Sequence, residues 1–124
     1  MNRDRAIALI GGGQMAMALA DGFCRAKLVD AASIVVSDPL PAARERFAAR
    51  LPEARFDSNA EAAAAADIVI LAVKPQQAAE ACGAIAGALA PTAVLVSIVA
   101  GLSTTALARL SGMDRIIRVM PNTP

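Results

Sequence analysis

Three consecutive glycines, Gly11-Gly12-Gly13, follow a short apolar run and lead into Gln14-Met15-Ala16. These six residues fit G-x-G-x-x-G/A, in which glycines permit a tight turn and let the backbone approach a pyrophosphate. A helix beginning near Gln14 points its unpaired amides and positive dipole end at such phosphates. In this pattern an acid follows about 20 residues later, at the end of a second strand. Asp38, in Val35-Val36-Ser37-Asp38-Pro39, stands there. A carboxylate at that place accepts the ribose 2'-hydroxyl of NAD and repels the 2'-phosphate of NADP by about 3 kcal/mol per charge pair at about 5 Å. Against this, Arg44 and Arg46 lie within two turns and offer a phosphate partner, and Asp38 also suits a simple turn or cap before Pro39. The choice between NAD(H) and NADP(H) stays open on the residues.

Ala72-Val73-Lys74-Pro75 closes a later apolar run. The proline holds Lys74 extended and takes the first position of the next helix, so Lys74 is expected at the carboxyl edge of the sheet, where ligands of open α/β sheets bind. Asn59 and Ala100-Gly101 fall at comparable strand-to-helix corners, and Asn122 and Thr123 end a sixth strand in the same layer.

The elements that must position these residues alternate along the chain. Strands are expected at 6–10, 34–36, 54–56, 68–73, 93–99 and 116–120; helices at 14–27, 41–51, 60–66, 75–89 and 103–110. The alanine run Ala62 to Ala66 reads as a closely packed helix, and Asp57-Ser58-Asn59 suits its N-cap. This alternation predicts a doubly wound, mostly parallel α/β sheet of about six strands with helices on both faces, a Rossmann fold. Residues 1–124 are expected to form one dinucleotide-binding domain.

Composition narrows the chemistry. The 124 residues are 56% apolar and 19% charged, with 12 Lys+Arg against 11 Asp+Glu, so nothing draws the chain to nucleic acid or anionic lipid. A small molecule is the expected partner. There is no His and no Tyr, which removes the usual acid-base side chains and any Ser/His or Cys/His nucleophile. Cys24 and Cys82 lack metal-ligand spacing and read as reduced core thiols; no metal is expected. Arg3 and Arg5 before an apolar stretch imitate an export signal, but the glycines interrupt it. The uncharged stretch from Ala81 to Ala108 imitates a membrane span, but Pro91 and Ser103-Thr104-Thr105 split it into helix, strand and helix. No membrane association and a cytoplasmic location are therefore expected.

Taken together, Ile10 to Ala16, Leu71-Ala72-Val73-Lys74-Pro75-Gln76, Ser97 to Gly101 and Arg118-Val119-Met120-Pro121-Asn122-Thr123-Pro124 resemble the amino-terminal domain of pyrroline-5-carboxylate reductases over the whole chain. The A-V-K-P and R-x-M-P-N-T-P strings are far more specific than the glycine pattern. The resemblance implies reduction of 1-pyrroline-5-carboxylate to L-proline with hydride from NADPH or NADH. Carried over by position, Ile10, Gly11, Gly12, Gly13, Gln14 and Met15 hold the pyrophosphate, and Asp38 and Asn59 the adenosine side. Ala72, Val73, Lys74 and Pro75 with Ile98, Val99 and Ala100 form the nicotinamide side, and Asn122 and Thr123 stand near the substrate. Asp38 departs from the neutral residue often found in that family, which tends to prefer NADPH.

The resemblance also implies a following helical domain that makes a homo-oligomer and supplies substrate contacts, so this chain alone is expected to bind cofactor without turnover. The catalytic residues are not identified from this half. Another Rossmann imine or keto-acid reductase is the alternative within enzymes. A non-catalytic NAD(H)-sensing regulatory domain is the alternative outside them, although a sensor has no need of the Asn122-Thr123 pair.

Overall fold

In the computed structural model residues 6–120 are described; Arg3, Arg5, Asn122 and Thr123 lie outside them. Strands β1 (Ile7–Ile10), β2 (Ile34–Ser37), β3 (Arg55–Phe56), β4 (Ile68–Leu71), β5 (Val94–Ser97) and β6 (Ile116–Arg118) form one parallel sheet in the order β3-β2-β1-β4-β5-β6. Helices α1 (Gln14–Arg25), α2 (Pro41–Arg50), α3 (Asn59–Ala64), α4 (Ala78–Ile85) and α5 (Thr104–Ser111) connect them. This is the doubly wound arrangement expected from the alternation, and it reverses direction between β1 and β4.

The central strand shows why a continuous apolar run is needed there. β1 is buried at every position and pairs Ile7 to Ile10 with Ile34 to Ser37 on one side and with Ile68 to Leu71 on the other. Its side chains alternate between two cores. Ala8 and Ile10 join Val69, Leu71 and Leu95 beneath α3, α4 and α5, while Ile7 and Leu9 join Ile34, Val36 and Ile70 beneath α1 and α2. On the first face Ala62 and Ala63 are fully buried, so the alanine run is a helix brought close to the sheet by its small side chains.

Boundaries differ from the sequence expectation where backbone chemistry intervenes. The helix expected over 75–89 is a 3₁₀ turn at Pro75–Gln77 followed by α4, because the Gln77 amide donates to the Lys74 carbonyl at 2.9 Å before the α-helical ladder begins. It stops at Ile85, since Ala86 is extended and Gly87 takes a positive φ of 81°. A 3₁₀ turn at Ala31–Ser33 precedes β2. The third strand is only two residues long, and α3 is capped by Ser58, whose Oγ accepts from the Glu61 amide. None of these helices is long and apolar enough to cross a membrane.

Two contacts anchor α2, one to β3 and one to α1. Phe47 of α2 is fully buried and meets Phe56 of β3 edge to face, with ring centroids 6.3 Å apart. Asp21 of α1 accepts from the Arg50 guanidinium at 3.0 and 3.4 Å and faces Arg25 at 3.2 Å. The Arg50 hydrogen bond holds the Asp21 carboxyl below its ordinary value of 3.8, helped by the charges of Arg50 and Arg25 and opposed by desolvation.

Phe47→Ala should cost about 3–5 kcal/mol in urea unfolding, because it empties the core beneath α2. Asp21 stabilises the fold only while ionised: its contribution is present above pH 3.8 and is lost as pH falls through the lowered folded-state value. Asp21→Asn should therefore be less stable than the parent at pH 7, with the difference shrinking in unfolding curves recorded below pH 3.8.

Candidate functional site

Where the order of strands reverses, the chain leaving β1 must turn sharply against the end of β4. Gly11 makes that turn with φ 102°, a conformation that favours glycine. Its amide donates to the Ser37 carbonyl at 2.8 Å. A Cβ there would stand 2.8 Å from the Ala72 carbonyl oxygen, so no side chain is admitted. A Cβ on Gly12 would lie 3.1 Å from Cγ1 of Val36, closing the turn on β2 as well. Gly13 differs: it is exposed, and a Cβ would meet nothing within 4 Å. The first two glycines thus serve packing, and the third leaves open space in front of α1.

Gly13 is the N-cap of α1 and has no side chain to satisfy the first-turn amides. No acidic residue stands in that turn. By contrast, α3 and α5 are each capped by a serine, Ser58 and Ser103. The first intrahelical bond runs from the Met17 amide to the Gly13 carbonyl, so the amides at Gln14, Met15 and Ala16 precede the ladder. Ala16 is 1% exposed, which brings the start of the helix down onto the sheet. This uncapped 12-residue helix end is suited to an anion.

Beside the turn, the end of β2 builds a cavity of about 540 Å³ whose walls include Ser37, Asp38, Arg44, Asp57, Asn59 and Glu80. Asp38 is fixed from two directions: Oδ2 accepts from the Gly12 amide at 2.8 Å, and Oδ1 accepts from the Leu40 amide at 2.9 Å. It is therefore a brace for the glycine turn as well as a cavity wall. Arg44 donates from Nη1 to the Asp38 carbonyl at 2.7 Å. Arg46, the other candidate phosphate partner, is exposed on α2 and is not among the cavity's walls. Ser37 donates its hydroxyl to Oδ1 of Asn59, which leaves the Asn59 amide hydrogens for the cavity.

The remaining candidates sit along the carboxyl ends of β4 and β5. Ala72 and Val73 are half-buried past the end of β4; Lys74 is exposed and extended (φ −67°, ψ 151°), and Pro75 opens the following turn, as the sequence implied. After β5, Ile98 is half-buried, Val99 buried and Ala100 exposed. The Ile98 amide donates to the Leu71 carbonyl at 3.1 Å, so the ends of β4 and β5 are joined at this edge. The structure brings Ile10 to Met15, Asp38 and Asn59 around one end of the sheet, with Ala72 to Pro75 and Ile98 to Ala100 along the same edge. Asn122 and Thr123 lie outside the described residues.

Sequence reasoning passed over Ser37, Ser97, Asp57 and Glu80. Ser97 is fully buried and accepts from the Val99 amide at 3.2 Å, holding the turn after β5. Ser37 and Ser97 are the last residues of β2 and β5, the strands on either side of β1 and β4, and a serine ending an apolar strand is the signal that was available. Glu80 gave none, since it reaches the cavity from a helix distant in sequence. Desolvation raises both thiols above their ordinary value, with acidic neighbours adding to it at Cys24, so neither is an activated nucleophile. Cys82 is buried as expected, but Cys24 is only partly so. Among the described residues no three His, Cys, Asp or Glu gather into a metal site.

A parallel sheet reversing at a glycine turn, with an uncapped helix behind it, defines a nucleotide-binding domain of Rossmann class. The chain belongs to the family described as NADP oxidoreductase coenzyme F420-dependent, whose family model matches residues 6–101. It is 45% identical over 119 residues to the pyrroline-5-carboxylate reductase of Pseudomonas aeruginosa, covering 95% of this chain and 43% of that protein. Among solved structures it is similar to a pyrroline-5-carboxylate reductase from Coxiella burnetii (30% identity, TM-score 0.89, 99% of this chain and 46% of that one). It is similar also to the Plasmodium falciparum pyrroline carboxylate reductase with NADP bound (29% identity, TM-score 0.84, 100% and 45%). The chain thus spans less than half the length of these relatives.

Gly11→Ala should destabilise the fold by about 2 kcal/mol or more, since it combines a left-handed backbone with a contact on the Ala72 backbone that cannot yield. Gly13→Ala should cost about 1 kcal/mol or less. Thermal unfolding of the two variants side by side checks the contrast.

Proposed function

We propose that this chain is the dinucleotide-binding half of an NAD(P)H-dependent reductase that converts 1-pyrroline-5-carboxylate to L-proline. The observation that carries the proposal is the uncapped start of α1 behind the Gly11 to Gly13 turn, in a chain 45% identical to a pyrroline-5-carboxylate reductase. The residues fit a dinucleotide: Gly13 leaves room for a diphosphate, and a cavity lies beside it for the adenosine end.

The amides of Gln14, Met15 and Ala16 would hold the diphosphate, with Ile10 to Gly13 shaping the turn. Asp38 and Asn59 would bind the adenosine side. Ala72, Val73, Lys74 and Pro75 with Ile98, Val99 and Ala100 would line the nicotinamide side, and Asn122 and Thr123 would approach the substrate. When bound, the reduced nicotinamide supplies a hydride to the carbon of the ring C=N bond. The task left to the chain is to hold two reactants in register and keep water out, which requires no strong acid and accords with a sequence lacking His and Tyr. The apolar Val99, 2% exposed, and the half-buried Ile98 and Val73 supply a low-polarity wall at that edge.

Residues 1–124 form the cofactor domain in this proposal, and the further length of the relatives supplies the remaining substrate wall and the contacts of a homo-oligomer. Oxidation of NADH or NADPH driven by 1-pyrroline-5-carboxylate in the full-length enzyme, with proline as product, is the expected result. The 124-residue chain alone should bind the dinucleotide and show no steady turnover. Absence of imine-dependent oxidation by the full-length enzyme would sink the substrate assignment. Gly13→Leu should cost about as little stability as Gly13→Ala but weaken dinucleotide binding more than tenfold, measured by NADH fluorescence titration, because the side chain fills the space before α1.

A further inference from the structure

We infer that the adenosine end of this site selects a dinucleotide with a free ribose 2'-hydroxyl, NAD(H), over one carrying a 2'-phosphate; the inference rests on the dinucleotide reading of the site. The determining group is Asp38, and its geometry is what carries the argument. A carboxylate on a free side chain can rotate away from an incoming phosphate. Asp38 is held by the Gly12 amide at 2.8 Å on one oxygen and the Leu40 amide at 2.9 Å on the other, so turning away breaks two hydrogen bonds, one of which braces the glycine turn. Each oxygen retains a lone pair. The pair of oxygens can therefore accept from a hydroxyl but offers nothing to a phosphate, which brings further acceptors and between one and two negative charges.

The surroundings do not reverse this. Arg44 is the one cation among the cavity's walls, and one of its five N–H donors is spent on the Asp38 carbonyl at 2.7 Å. Two further carboxylates, Asp57 and Glu80, line the same cavity, so three acidic side chains face one guanidinium. Arg46 is exposed on α2 and is not among the cavity's walls. The neutral donor present is the Asn59 amide, whose carbonyl oxygen is taken by the Ser37 hydroxyl. An acceptor pair fixed beside a neutral donor is a set that matches a ribose diol.

The test is a titration of the protein with NADH and with NADPH, by fluorescence or calorimetry, at low and at moderate salt. NADH should bind on the order of a hundredfold more tightly, and the gap should narrow as salt rises, because its origin is charge repulsion. Asp38→Asn should narrow it most. Since that change also disturbs the brace on Gly12, the double variant Asp57→Asn, Glu80→Gln is the control that keeps the amide bonds intact, and it should raise NADPH affinity by a larger factor than NADH affinity. Equal or tighter binding of NADPH, with NADH also bound, overturns the inference and leaves the dinucleotide reading standing. Binding of neither overturns both.

Discussion

The chain leaving the central strand passes within contact of the backbone at the end of its neighbour. At Gly11 a β-carbon would stand 2.8 Å from the Ala72 carbonyl oxygen, and the backbone there is left-handed. Only glycine meets both demands, and everything downstream in the site inherits its position from that passage. It brings Gly12 against Val36 and under Asp38, seats Gly13 as an N-cap with no side chain, and starts α1 close above the sheet through Ala16. Remove the close passage and the first-turn amides no longer converge beside the cavity at the end of β2.

In the same region one side chain braces the backbone and walls the cavity together. Asp38 ties β2 to the glycine turn through one oxygen and begins α2 through the other, and it still forms part of the cavity wall. Ser37 acts similarly: buried at the end of β2, it fixes Asn59 at the start of α3. These bonds link the separate strand ends into one rim, so that the site is built largely before any ligand arrives. The β4–β5 part of the same edge, from Ala72 to Pro75 and from Ile98 to Ala100, is joined by a backbone bond between the two strand ends and carries fewer polar side chains.

The sheet and its order of elements were legible in the sequence because buried parallel strands are continuous apolar runs, as in Ile68 to Leu71, and because alternation with helices leaves few topologies. The glycine turn, Asp38 and the extended Lys74 before Pro75 were legible for a similar reason, each being a residue type with a strong backbone or charge consequence. What escaped depends on contacts between distant segments. Nothing local announces that Glu80 of α4 faces the cavity of β2, that Arg44 spends a hydrogen bond on the Asp38 carbonyl, or that Asp21 and Arg50 pair across α1 and α2. The early end of α4 falls just before Gly87, which takes a positive φ of 81°.

The central claim is that backbone amides at the start of α1 hold a diphosphate. A ¹⁵N-labelled sample titrated with NADH tests it directly through the amide resonances. The largest shifts should fall on Gly13, Gln14, Met15 and Ala16, with smaller ones at Asp38 and Asn59. Saturable binding that leaves the resonances of residues 13–16 unmoved would contradict the account.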